Sequence, residues 1–66
     1  MKIWTITGQS ESGDKGIPKI YNYEPDEAAQ RDYIEYSFGE EMDIDGPGDF
    51  GSYVHLKVEQ IDLNEE

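Results

Sequence analysis

Hydrophobic and polar positions alternate most cleanly near the end of the chain. In SYVHLKVEQIDL (residues 52–63), Val54, Leu56 and Val58 alternate with Tyr53, His55, Lys57 and Glu59. That period of two predicts a strand with one buried and one wet face. MKIWTIT (1–7) is β-branched and aromatic and predicts another strand, followed by a glycine- and serine-rich polar loop over 8–16. IPKIYNY (17–23) predicts a second strand, with Pro18 at its beginning or on a sheet edge. The polar segment between these two predicts a long-looped hairpin, not a tight one.

Between the second and last strands the period changes. PDEAAQRDYIEYSF holds the strong helix formers Glu27, Ala28, Ala29, Gln30 and Arg31. Pro25 suits a first turn, Asp26 and Glu27 suit the positive end of the helix dipole, and Gly39 suits the stop. The apolar stripe is imperfect: Ala29, Tyr33 and Tyr36 share one face, whereas Ile34 and Phe38 point away from it. Two arrangements remain open, a largely covered helix or one that ends near Tyr36 with Phe38 turned back to the core. Residues 64–66 read as a frayed tail.

The order ββαβ predicts an α+β fold: a three-stranded antiparallel sheet with one helix packed on one face. The first strand is expected in the centre, and a right-handed crossover that skips it lays the helix on the buried face. Residues 1–66 read as a single small acidic domain without internal repeats. A chain of this length buries only about 60% of its unfolded surface, so its core is thin.

Composition changes the picture chiefly through charge. Sixteen acids against five bases leave a net −11, and only 35% of residues are hydrophobic. Such numbers fit disorder, but Trp4, five tyrosines and two phenylalanines lie in the predicted elements and favour a folded domain. The chain has no cysteine, so neither disulfides nor thiolate chemistry is open to it. Its beginning has no apolar signal-peptide core, and no run approaches the ~20 apolar residues of a membrane span, so a cytosolic protein is expected.

The charge is concentrated. Residues 24–49 hold ten acids against Arg31 alone, a net −9, whereas the remainder of the chain carries only −2. In EEMDIDGPGD, Glu40, Glu41, Asp43, Asp45 and Asp49 follow one another without a single cation. A calcium loop starting at Asp43 fails in register, because its fifth position is Pro47 and its twelfth is Val54 instead of a bidentate Glu. That leaves at most a weak Ca²⁺ or Mg²⁺ site, and GPGDFG reads better as turn chemistry. No metal site and no cofactor are expected.

Two readings of the acids remain. One is a solvated face that keeps a small protein dissolved. The other is imitation of a nucleic acid. Duplex DNA presents a phosphate about every 3.4 Å along each strand. Carboxylates a helical turn apart, such as Asp32 and Glu35, stand about 5–6 Å from each other, and alternate residues of an extended segment, such as Asp43 and Asp45, about 6.6 Å. Tyr33 and Tyr36, beside these acids, would add aromatic anchors to an interface. The candidate partner-binding set is therefore Asp26, Glu27, Asp32, Glu35, Glu40, Glu41, Asp43, Asp45 and Asp49, with Tyr33 and Tyr36.

Catalysis finds little support. His55 is the only histidine and falls on the wet face of the last strand, no GxSxG or phosphate-cradling loop is present, and the domain offers little pocket for raising a carboxyl pKa. A field of this sign also repels nucleic acid, so direct binding of DNA or RNA is not expected.

KIWTITGQSESGD, the Pro-started acidic helix and DGPGDFGSYVHL leading into the last strand together resemble small acidic proteins of phages and mobile elements. In size, charge and layout the chain resembles anti-CRISPR inhibitors of type I CRISPR–Cas systems. The resemblance covers most of the chain, its motifs are loose, and it brings no catalytic residue. It implies a non-enzymatic inhibitor acting in the host bacterial cytoplasm. Some such inhibitors act as DNA mimics, which implies as partner a basic DNA-binding subunit of a defence complex. Other inhibitors of this kind block nuclease recruitment or bind elsewhere, and another DNA-binding enzyme, such as a restriction system, stays open as the target. The competing reading is a phage accessory or scaffold protein that contacts a host or virion partner through Tyr21, Tyr23 and Tyr53 on the sheet, its charge serving solubility.

Overall fold

A computed structural model describes residues 1–63; the predicted frayed tail lies outside the described residues. Five elements follow in order: β1 (Lys2–Ser10), β2 (Lys19–Tyr21), α1 (Glu27–Phe38), β3 (Asp43–Ile44) and β4 (Tyr53–Asp62). They form a sheet of order β2-β1-β4-β3. β1 is antiparallel to both β2 and β4, as the pattern predicts. The α+β class stands, but the sheet has four strands and is mixed, because β3 pairs in parallel with β4.

β1 continues past the predicted end, and the long connection to β2 (11–18) opens with a tight turn at 11–13 that closes an isolated bridge between Gln9 and Lys15. Gly13, at φ 96°, adopts the left-handed conformation that glycine reaches without steric cost. Its N–H donates to the Ser10 carbonyl, the Ser10 N–H donates to the Asp14 carbonyl, and the Ser10 hydroxyl accepts the Asp14 N–H at 3.1 Å. Serine and glycine positions in GQS conceal a strand whose Ser10 is buried. A Cβ on Gly8 would sit 2.8 Å from Leu56 Cδ2 and 3.2 Å from Val54 Cγ2, so a larger residue there would displace the half-buried Leu56 side chain.

Asp26, not Pro25, sets the start of the helix: its carboxylate accepts the Ala29 N–H at 2.9 Å. At the other end Gly39 takes φ 78° and donates to the Glu35 carbonyl, the predicted stop. The buried arc covers about half the helix and corrects the predicted stripe. Ala29, Tyr33 and Ile34 are buried, Phe38 is half-buried, and Tyr36 remains 59% exposed. At ~100° per residue the centre of this arc falls on Gln30 and Ser37, two polar residues that break the apolar periodicity. Both are used: the Gln30 amide donates to the Pro25 carbonyl at 3.3 Å, and Ser37 Oγ accepts the Ile17 N–H at 2.5 Å.

The helix covers the sheet face that carries Ile6 and Val54, and the core is completed by Tyr21, Met42 and the flanks of Trp4, Ile44 and Leu56. The connection from β2 through α1 to β3 runs from one sheet edge to the other. It therefore passes two strands, not one. Cover ends before the strands do. β1 and β4 pair from Ser10↔Val54 out to Lys2↔Asp62, well beyond the helix, and the molecule measures 46 × 21 × 18 Å. Hence the predicted buried face of β4 fades along its length: Val54 is fully buried, Leu56 half-buried and Val58 exposed.

Candidate functional site

The helix and the loop from β3 to β4 face each other and carry most of the predicted acids. Asp43 organises this loop. Its Oδ2 accepts the Phe50 N–H at 2.9 Å, its backbone N–H donates to Ser52, and a Cβ on Gly48 would fall 2.7 Å from its carboxyl group. Asp45 stands in left-handed conformation (φ 61°), and its Oδ1 lies 3.5 Å from His55 Nδ1. Asp26 is occupied as the helix cap. Glu27 Oε1 accepts from Arg31 at 3.2 and 3.3 Å, an exposed pair one turn apart. Four of the nine predicted acids thus have an internal structural contact.

The other five are exposed, and their carboxylates accept no hydrogen bond or ion pair among the described residues. Asp32 and Glu35 on the helix and Glu41 after it line a cleft of about 160 Å³ with Arg31, Met42 and Phe50. Glu27 and Asp43 line the adjoining groove, which also runs past Arg31. Asp49 is exposed in the same loop. Glu40 diverges: it borders a separate depression with Glu11 and Asp14, near Ser10 and Ser12. The acids therefore form one helix–loop cleft and one outlying group instead of a single unbroken ridge.

The two predicted aromatics separate. Tyr33 is fully buried in the core and offers no surface to a partner, so its place in the predicted set is corrected. Its alignment with Tyr36 on one side of the helix concealed the difference, because the core border runs between them. Tyr36 is exposed, with Lys19 Nζ 5.0 Å from its ring centroid and 5.2 Å from that of Tyr21. The aromatic absent from the predicted set is Phe50, 44% exposed in the acidic cleft. Only its place in the acid-rich stretch DFG pointed to it.

Tyr21, Tyr23 and Tyr53 do not make a shared sheet face. Tyr21 is buried on the helix side, where it pairs with Trp4 in register, and meets Tyr23 edge-on at 5.4 Å. Tyr53 neighbours buried Val54 in β4 and so points to the opposite face. Burial pushes the Tyr21 phenol above its ordinary value, with nearby Tyr23 and Asp32 adding to the shift. The Tyr21 and Tyr33 hydroxyls are both buried without a hydrogen-bond partner among the described residues.

Apart from Arg31, the cations lie away from the acidic cleft. Lys15, His55 and Lys57 border an open groove beside Gly8, and Lys57 pairs with Glu59 at 2.8 Å, which raises its pKa. His55 is exposed as predicted and lies edge-on to Tyr53. Among the described residues no three acidic or histidine side chains converge as a metal site requires. No described helix is long and apolar enough to cross a membrane. The cleft can accept lysine and arginine side chains, with Phe50 and Met42 lining it beside the carboxylates. No family model, curated protein or solved structure matches this chain.

Proposed function

We propose that the protein is a non-enzymatic inhibitor that presents the carboxylates of α1 and the following loop to a basic DNA-binding protein of a bacterial defence system. It acts in the host cytoplasm as a DNA mimic of the anti-CRISPR kind, and a type I surveillance complex is its first candidate target. The observation that carries this reading is the convergence of Asp32, Glu35 and Glu41 on one cleft. Arg31, the only cation on that rim, is held by Glu27. Unneutralised anions a helical turn apart suit Lys and Arg side chains that grip a phosphate backbone, and a field of this strength speeds encounter with a basic surface. Asp49 extends the anionic surface along the loop, and Phe50 and Tyr36 supply apolar contact.

The scaffold reading has less support, because Tyr21 is buried on the helix side while Tyr53 lies on the other face. Competition tests the proposal. A purified type I complex is incubated with labelled target duplex and increasing protein. Displacement of DNA by the parent, and at least tenfold weaker displacement by the D32K/E35K/E41K variant, equivalent to about 1.4 kcal/mol, is the expected result. DNA that stays bound at saturating protein argues against a type I target. Displacement by parent and variant alike removes the acidic cleft from the mechanism.

A further inference from the structure

β4 leaves most of one edge open. β3 pairs only with Tyr53 and Val54, so among the described residues no strand neighbours 55–62 on that side. The direction of the backbone groups follows from their bonds. Val54 O accepts from Asp45 and Ser52 O from Asp43, both on the β3 side, whereas Tyr53 O accepts from Glu11 on the β1 side. By strand alternation, Leu56, Val58 and Gln60 aim their N–H and C=O groups at the open edge. Such an edge is a template for another strand.

We propose that the occupant of this edge is a second copy of the chain, its β4 antiparallel to the first about a two-fold axis at Val58. Hydrogen-bond parity allows only registers that set even-numbered residues against even-numbered ones. With Val58 opposite Val58, Leu56 faces Gln60 twice, and about six backbone hydrogen bonds form. In this register each Lys57 lies directly opposite the second copy's Glu59. A shift by two residues in one sense sets Glu59 against Glu59, and in the other sense Lys57 against Lys57. Like charges directly opposite destabilise a sheet and opposite charges support it, so the charge pattern selects the central register. Lys57 and Glu59 are exposed and already adjacent at 2.8 Å within one chain. Isologous pairing of this kind closes on itself and leaves no further edge at β4 to recruit a third copy.

The partner strand also answers a local weakness. Beyond β2, which pairs only with Trp4–Ile6, β1 and β4 end as a two-stranded ribbon at Lys2–Ile3 and Ile61–Asp62, with Met1, Ile61 and Leu63 exposed there and Val58 exposed on the strand before it, and two strands alone are marginal in water. Pairing makes one eight-stranded sheet with both helices on the same face. Each copy carries −11, so the association strengthens as salt screens the repulsion. That dependence is opposite to the one expected for an electrostatic partner, which separates this inference from the proposed function.

Sedimentation equilibrium of the intact chain, from micromolar to millimolar concentration at low and high salt, tests it. A reversible monomer–dimer equilibrium, tighter at high salt, is expected. K57E weakens the dimer at least tenfold, and the swap K57E/E59K restores it to within about threefold of the parent. V58P, which removes an N–H aimed at the open edge and none from the β1 ladder, abolishes dimerisation while the circular dichroism spectrum stays unchanged. A chain that stays monomeric at millimolar concentration and high salt overturns the proposal, even if it takes up a strand from a different protein. So does a dimer insensitive to both K57E and V58P, or one that the charge swap fails to restore.

Discussion

Asp26, Asp43 and Tyr33 show how little a residue's type says about its employment. Asp26 and Asp43 belong to the acid run by composition, yet one caps α1 and the other holds the Phe50 N–H. D26A should therefore lower stability by about 1 kcal/mol, measured by urea unfolding, and leave partner affinity nearly unchanged. Tyr33 contributes its ring to the core, but its hydroxyl is buried unpaired. Y33F should hold or slightly increase stability, since an unsatisfied polar group is removed, whereas Y33A should cost about 3–5 kcal/mol as an emptied aromatic site. Tyr21 gives a pH signature. Its folded pKa is raised by burial, so above about pH 10 the unfolded chain ionises while the folded one holds its proton. Stability present below that pH is lost as pH rises towards the folded value, and Y21F should unfold at a higher pH than the parent in an alkaline titration followed by circular dichroism.

At the scale of elements, the strands and helix with strong local signals were legible, and those that depend on distant partners were not. The alternation in β4, the aromatic run of β1 and the Gly39 stop are local and match the structure. β3 is two residues long and exists because Asp43 and Asp45 donate to Ser52 and Val54 across the loop. Nothing in EEMDIDGPGD announces a strand. The helix face departs from the predicted stripe for a related reason: Gln30 and Ser37 lie at the centre of the buried arc, their polar groups satisfied by backbone from Pro25 and Ile17. Gly16 marks the same contact. A Cβ there would approach Ser37 Oγ and the Tyr33 hydroxyl to 2.6 Å, so G16A should destabilise by about 1–3 kcal/mol, measured by thermal or denaturant unfolding.

Across the whole molecule, charge sorts by location. The acidic cleft lies between α1 and the loop, and the groove containing Lys15, His55 and Lys57 lies elsewhere. The sequence disclosed the concentration of charge in residues 24–49, because a count needs no coordinates. It did not disclose which acids converge, since Glu27, Asp43 and Asp45 are engaged by contacts with residues four to ten positions away. Reversing Asp32, Glu35 and Glu41 to lysine raises the net charge from −11 to −5 and alters exposed positions, so the fold should persist. The most direct test is therefore a pull-down from bacterial lysate with parent and D32K/E35K/E41K baits at low and high salt, eluted with excess duplex DNA. A basic DNA-binding protein should be retained by the parent at low salt, released by duplex DNA or by high salt, and missed by the variant. A partner that withstands both DNA and high salt, or that the variant retains equally well, would contradict the account.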